Sequence, residues 1–397
     1  MKIGINCMEI QGDYVGGLNS YTFGLLDAFS RLKPDGNTFQ IYASPENAGL
    51  FSKYTDSELF SIHIIKDLKY KRQILWRLLS FGSAFIYEQA RNFLYRNEAG
   101  LMDSNSDIIY TPTTTLFYYK HKIPTVLSMH DIQQTHYPEF FSPSEIKTRE
   151  VSYGLSARHV DCLQASSEFS KSDFLGHFKF LNEKQVTVIH EGVDLARFGS
   201  NSDSSYLSEK YHLPKQYLFY PAQLWHHKNH LALLRALQQL KAEGLVVPLV
   251  LSGANFSAEG AVRSFISEHL SGQVYLLGKV PSEDIAGLYQ RARFLIMPSL
   301  HESNSLPILE SAAAGTPVLA SDIPPNIELS KILKLNIFDR HNPESIANSI
   351  RMNWSDENLI REQKIFNAKA IPFYSWDDSA MQYIRLFKSI FQRSIIT

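Results

Sequence analysis

The chain has 397 residues, of which 44% are hydrophobic and 20% charged, a balance that excludes a disordered, collagen-like or coiled-coil protein. Its 39 Lys and Arg residues against 40 Asp and Glu give a formal net charge of -1, so the global basic field used for nucleic acid is absent and no nucleic-acid partner is expected. One hydrophobic core stops growing at roughly 250–300 residues, so two domains are expected.

Residues 2–6 read as a first buried strand, which starts without a signal-peptide core. A glycine loop at Gly16-Gly17 follows, then an amphipathic stretch over 18–32. Residues 39–43, 107–111, 125–130, 161–165 and 186–190 read as further strands, each a short run rich in Ile, Val, Leu or Tyr and bounded by Pro, Ser, Asp or Gly. Helical candidates cover 144–158 and 167–177. Strands separated by helices predict a mainly parallel sheet covered on both faces. Within this half, Lys66, Lys69, Lys71, Arg72, Arg77, Arg91 and Arg96 flank Ile74, Leu75, Trp76, Phe85, Ile86 and Phe93. This basic and aromatic stretch, 66–96, suits peripheral contact with an anionic membrane or a lipid-linked acceptor. Ordinary helices with a solvated basic side give the same pattern. The two cysteines, Cys7 and Cys162, form no spacing motif, which leaves no disulfide framework or thiolate metal site and fits a cytoplasmic setting. No apolar run approaches the roughly 20 residues that cross a bilayer.

The small, polar segment 199–205 reads as a linker. It places a first domain at 1–200 and a second at 206–374. In the second, strands are expected at 217–220, 249–252, 274–277, 294–297 and 317–320, and helices at 229–243, 282–292 and 306–314. The fold class is therefore α/β: two doubly wound Rossmann-like domains facing a central cleft. Open parallel sheets bind ligands beyond the carboxyl ends of their strands, so such a cleft suits a pair of substrates. The last stretch, 375–397, is amphipathic and is expected to pack back on the first domain. Periodicity alone fits a cap on the second domain as well.

Four places carry candidate chemistry. Gly16 and Gly17 lie in the first strand-to-helix loop, where backbone can approach a phosphate closely; the dinucleotide pattern G-x-G-x-x-G is absent. His130, with Asp131, ends a strand where ligands bind; a buried structural histidine fits there equally. The segment from Tyr220 to His230 follows a strand and opens a helix, and it contains Gln223 and Lys228. Lys228 is a point charge suited to phosphate, and also suits a solvated helix start. His226 and His230, four apart, can share a helix face, but no nearby carboxylate completes a metal set. Lastly, the segment from His301 to Glu310 precedes and enters a helix. Ser305 suits the N-cap and Pro307 the first turn. Amides of Asn304, Ser305 and Leu306 would then face an anion, favoured by the helix dipole. Glu302 and Glu310, acceptor-only carboxylates, suit sugar and ribose hydroxyls, and a solvated helix face accounts for the pair as simply.

In order and spacing, these segments resemble the retaining glycosyltransferases of family 4, over nearly the whole chain. Glu302 to Glu310 looks like that family's E-x7-E motif, and Ala313-Ala314-Gly315-Thr316-Pro317-Val318 like the strand entrance that follows it. Gly192-Val193-Asp194, Ser167-Glu168-Phe169-Ser170-Lys171, Gly16-Gly17 and Tyr374-Ser375-Trp376 look like further family segments. The closest pattern is that of bacterial polysaccharide mannosyl- and rhamnosyltransferases, which share the form Gln-x-Trp-x-His-Lys-Asn found at 223–229.

The resemblance implies the GT-B fold and transfer of a hexose, mannose from GDP-mannose as first choice, to a glycan or lipid-linked glycan with retention. The second domain would hold the nucleotide-sugar donor. Glu302 would meet donor-sugar hydroxyls, Glu310 the ribose, and Lys228 the diphosphate. The amides at Asn304, Ser305 and Leu306 would bind the diphosphate, with Ser303, Gln223, Gly16 and Gly17 also lining the donor, and His130 beside the transferred sugar. No D-x-D triplet occurs, in keeping with front-face chemistry that uses no metal and no cofactor. Two departures stand out: Gln223 replaces the family's usual Arg, and Ser303 and Ser305 replace glycines common within the motif. A GT-B epimerase and a catalytically weak nucleotide-sugar-binding protein are the alternatives.

Overall fold

The structure, a computed structural model, describes residues 1–11, 17–55, 58–66, 71, 74–75, 83–199 and 205–396. It divides into two compact units, Met1–Glu191 with Trp376–Thr397, and Gly192–Ser375.

Among the described residues, the first unit is built on seven strands: β1 (Lys2–Asn6), β2 (Thr38–Ala43), β3 (Phe60–Ile64), β4 (Ile108–Thr111), β5 (Thr125–Ser128), β6 (Cys162–Ala165) and β7 (Val186–Val188). Their order is β3-β2-β1-β4-β5-β6-β7, and every pairing is parallel. The chain thus leaves β1 toward one edge and returns at β4 to build toward the other. Strands buried on both faces read as continuous apolar runs, which is why β1, β4 and β5 are legible in the sequence. β3 is an additional strand. It pairs only with β2, alternates polar with apolar residues and leaves Ile64 exposed.

The helix Gly17–Leu32 buries Tyr21, Leu25 and Phe29. Against it lies the terminal helix Trp376–Ile396, whose Trp376, Tyr383, Ile384 and Phe387 enter the same core as Ile3, Ile5 and Phe39. Gly24 lets the two helices approach: a Cβ there would overlap the Trp376 ring. The terminal helix therefore belongs to the first unit. Both cysteines are buried free thiols.

The described residues of the second unit form six strands: β8 (Leu218–Pro221), β9 (Leu249–Ser252), β10 (Val274–Leu276), β11 (Phe294–Met297), β12 (Val318–Ser321) and β13 (Asn336–Phe338). Their order is β10-β9-β8-β11-β12-β13, again parallel throughout. The direction of build reverses between β8 and β11. Such switch points part the loops on either side and leave a crevice at the carboxyl ends.

The chain enters this unit earlier than the polar segment 199–205. Val193 N donates to Tyr374 O at 2.8 Å, and Val193 bridges Ser375, so the strands of entry and exit lie together. Phe198 and Leu207 then join the second core. Of the polar run itself, residues 200–204 lie outside those described. Among the described residues no helix is long and apolar enough to cross a membrane.

Candidate active site

The crevice at the β8–β11 switch point gathers most of the second-unit residues singled out from sequence. Two loops build it. One follows β8 through Gln223 and Lys228 to the helix His230–Ala242, and the other follows β11 through Glu302 to the helix Leu306–Ala313. Leu300 N donates to His227 O at 2.8 Å. Asn229 adopts the left-handed conformation, with φ 57°, which Asn tolerates better than most side chains. Its Nδ2 donates to Pro298 O at 3.0 Å and to Arg340 O at 2.9 Å. With the loops tied in this way, Lys228 Nζ donates to Glu302 Oε1 at 2.6 Å. The two side chains are only 20% and 13% exposed, so the attraction is less screened than in an ordinary surface pair.

The helix Leu306–Ala313 has Ser305 at its N-cap, proline in its first turn and no acidic residue there. Among the described residues no backbone carbonyl accepts from the amides of Asn304, Ser305 or Leu306. First-turn amides without a partner, at the positive end of the dipole, suit an anion. Asn304 Nδ2 is buried without a hydrogen-bond partner.

A buried polar chain supports this end of the helix. The Ser305 hydroxyl donates to Asn326 Oδ1, and Asn326 Nδ2 donates to Ser321 O at 2.9 Å. Ser321 Oγ donates to Ser299 O at 2.7 Å. Ser299 Oγ meets the Tyr220 hydroxyl at 2.9 Å, and that hydroxyl donates to Lys228 O, also at 2.9 Å. The chain runs from the helix N-terminus, beneath β11 and β12, to the backbone of Lys228. Sequence reasoning did not find Tyr220, Ser299, Ser321 and Asn326 as a set. Serine at a strand end is too common a pattern to single out, and the bonds join residues far apart in sequence.

Glu310 has a different environment from Glu302. Its Oε2 accepts from the Tyr289 hydroxyl at 2.7 Å. Burial pushes its pKa up to about 7, against the smaller opposing pulls of Tyr289 and Arg197. Gln223 Oε1 accepts from Trp225 Nε1 at 3.0 Å, and the Trp225 ring stacks on Phe256 with centroids 4.0 Å apart. Gly253, with φ 148°, lets the β9 loop press on this segment, since a Cβ there would fall 2.7 Å from Gln223 N.

The shared helix face expected for His226 and His230 does not form, because the helix starts at His230. His226 is exposed on the preceding turn, whereas His230 is buried. Burial drives the pKa of His230 down to about 3 and keeps it neutral. Among the described residues, no group of three His, Cys, Asp or Glu side chains could hold a metal ion.

In the first unit, Gly16 lies outside the described residues, and Gly17 opens the helix Gly17–Leu32 with open space where a Cβ would stand. His130 follows β5. Its Nε2 donates to Pro112 O at 2.8 Å, so the neutral ring keeps Nδ1 as an acceptor. Burial lowers its pKa. Tyr21 packs edge-on against this ring at 5.0 Å. The Tyr21 hydroxyl bonds in turn to Tyr110 at 2.6 Å, to Ser128 at 2.8 Å and to Tyr383 of the terminal helix. In the basic stretch, Lys71 pairs with Glu98, and Arg91 is buried with its guanidinium on the carbonyls of Leu116 and Phe117. These two cations therefore face inward, while Lys69, Arg72, Trp76 and Arg77 lie outside the described residues.

Comparison with known proteins supplies a context for this geometry. A family model described as Glycosyltransferase Family 4 matches residues 15–197, and one described as Glycosyl transferases group 1 matches residues 208–370. The chain is 27% identical to O-antigen chain mannosyltransferase B of Escherichia coli, over 79% of this chain and 83% of that protein. It is 29% identical to the serotype-specific mannosyltransferase WbdA of the same organism, over 47% of this chain but only 23% of WbdA. Among solved structures, Anabaena Alr3699/HepE in complex with UDP-glucose superposes with a TM-score of 0.72 at 18% identity, over 98% of this chain and 100% of that one.

The buried carboxyl sets a pH dependence of stability. The folded state keeps a proton on Glu310 between about pH 4.5, its ordinary value, and about pH 7, whereas the unfolded chain has released it. Stability from this group is therefore lost as pH rises through that window. Glu310→Gln should flatten the fall: between pH 5 and pH 8 the ligand-free variant should lose less Tm than the parent, as measured by thermal denaturation. Equal losses would contradict the assignment.

Proposed function

Because the chain belongs to the family 4 and group 1 glycosyltransferases and carries their GT-B fold, we propose that it transfers a hexose from a nucleoside-diphosphate sugar to a glycan or lipid-linked glycan, with retention at the anomeric carbon. Mannose from GDP-mannose is the first choice, supported by the mannosyltransferase relatives. The observation that carries the reading is the Lys228–Glu302 ion pair beside an uncapped helix N-terminus at the β8–β11 switch point. A diphosphate sugar offers each partner a replacement. Its phosphates would take Lys228 and the amides at Asn304, Ser305 and Leu306, while sugar hydroxyls would donate to Glu302.

Charge accumulates on the diphosphate as the glycosidic bond breaks. Lys228 and the helix amides would stabilise that charge without a divalent ion, which is the largest contribution the site has to offer. The acceptor hydroxyl would enter on the face the diphosphate leaves, and a phosphate oxygen would take its proton. Positioning then does the rest. Glu310, once ionised, would accept from the ribose hydroxyls, so nucleotide affinity should rise as pH passes about 7. Gln223, in place of a cation, leaves Lys228 to supply the side-chain charge.

On the helix Ala84–Leu94, Phe85, Ile86 and Phe93 are 69%, 51% and 67% exposed. The Arg96 guanidinium lies 5.2 Å from the centre of the Phe93 ring. Exposed aromatic side chains beside a cation favour peripheral contact with an anionic lipid surface. Salt-sensitive co-sedimentation with anionic vesicles would support that assignment, and its absence would remove it.

Turnover against a donor panel, with and without acceptor, separates the function classes. Nucleotide release that requires acceptor marks a transferase, sugar isomerisation an epimerase, and saturable binding without turnover a binding protein. In the transferase case, Glu302→Gln and Lys228→Met should each lower kcat by roughly 10²–10³, the range for one lost transition-state donor or acceptor. Each variant also leaves one partly buried charge unpaired, so Tm should fall as well, and kcat is compared at a temperature where both variants remain folded. Unchanged turnover in either variant would remove that residue from the site.

A further inference from the structure

We propose that Tyr289 is a positioning residue for the carboxylate of Glu310: its hydroxyl holds Oε2 and leaves Oε1 as the oxygen offered to a ribose hydroxyl of the donor. The inference rests on the donor-site reading above and names the group that prepares its ribose end.

The tyrosine is itself firmly held. It lies on the helix Ser282–Arg291 and is fully buried. Its ring meets Phe198 and Phe219 edge-on, with centroids 5.7 Å and 5.1 Å away. The Thr316 hydroxyl donates to its backbone carbonyl at 2.6 Å. A phenol in an apolar core needs a partner for its O–H, and the one it has is Glu310 Oε2, at 2.7 Å. Glu310 Oε1 has no hydrogen-bond partner among the described residues. This carboxylate lies one turn along the helix Leu306–Ala313 from the amides proposed to take the diphosphate.

The same bond acts on the charge. A hydrogen bond to the ionised form favours that form, so the Tyr289 hydroxyl opposes the burial that keeps a proton on Glu310. Of the titratable and charged groups on the helices packed against Leu306–Ala313, Tyr289 and Arg197 are the two that pull this way. The Arg197 guanidinium is engaged with the Ser282 carbonyl. A carboxylate that has to accept from ribose therefore depends on a phenol for its orientation and for the pH at which it ionises.

The test compares the parent with Tyr289→Phe, which keeps the ring and removes only the hydroxyl. Calorimetric affinities for GDP and UDP, and for their 2′,3′-dideoxy forms, are measured from pH 5 to pH 9. The ratio of each pair isolates the ribose hydroxyls, because base and phosphates are common to both. In the parent the ratio should rise with pH and level off near pH 7. In Tyr289→Phe the rise should level off about one pH unit higher, which makes the ratio at pH 7 roughly fivefold smaller and restores it by about pH 9. Affinity for the dideoxy forms should not change. A ratio reduced equally at every pH, or an equal loss for the dideoxy forms, would mean that Tyr289 acts only as core and would overturn the proposal, as would an unchanged profile. Thermal denaturation without ligand gives a second readout: the fall of Tm with rising pH should continue about one pH unit further in Tyr289→Phe than in the parent. Coincident Tm profiles, with GDP or UDP still bound, would overturn the proposal and leave the donor site standing. If the parent binds neither nucleoside diphosphate, the donor-site reading itself fails.

Discussion

Two opposite charges, Lys228 and Glu302, meet across a boundary that the chain crosses only by long excursions. β8 and β11 are hydrogen-bonded neighbours, yet β9 and β10 intervene in sequence. The reversal of build direction brings the loops after β8 and β11 side by side, and the Asn229 amide and the Leu300–His227 bond secure them there. Without ligand, each charge satisfies the other. On the proposed function, a diphosphate sugar would be received from this state with little rearrangement, because it would supply a phosphate for the ammonium and hydroxyls for the carboxylate. Neither charge would then be left buried and unpaired during the exchange, which is the expensive alternative.

Beneath that pair the second unit is held by neutral hydrogen bonds. Ser305, Asn326, Ser321, Ser299 and Tyr220 form a path of five fully buried side chains in which every donor has a defined acceptor. Such a network fixes backbone without placing further charge near the ligand. The two motif glutamates are differentiated by what surrounds them. Glu302 faces a cation, and Glu310 faces the Tyr289 hydroxyl in surroundings that favour its protonated form. Equal residue types at a fixed spacing therefore carry unequal chemistry. A comparable hydroxyl cluster in the first unit, Tyr21 with Tyr110, Ser128 and Tyr383, joins the terminal helix to the wall behind His130.

Much of the fold is legible in the sequence because parallel strands buried on both faces are short continuous apolar runs, as at β1, β5 and β11. The two strands that escape, β3 and β13, each lie at a sheet edge, although the other edge strands, β7 and β10, are legible. β3 mixes Ser61 and His63 with its apolar residues, and β13 is three residues long and begins with Asn336. The domain boundary is harder to read, because the polar segment 199–205 looks like a linker, whereas Val193 and Phe198 before it already belong to the second core. In the site, Lys228, Glu302 and Glu310 are readable because each follows or enters an element whose end is marked by strand and proline signals. The paired histidines mislead because the helix begins at His230, one turn later than their spacing suggests. Asn326 is unreadable from pattern alone: its place in the network depends on which of its two amide atoms faces Ser305, and that is decided by a carbonyl at Ser321.

A crystal structure with a bound nucleoside diphosphate tests the central claim most directly. Diphosphate oxygens within hydrogen-bond distance of Lys228 Nζ and of the amides at Asn304, Ser305 and Leu306, with the ribose beside Glu310, are the predicted result. A nucleotide bound away from the β8–β11 crevice, with the Lys228–Glu302 pair untouched, would contradict it.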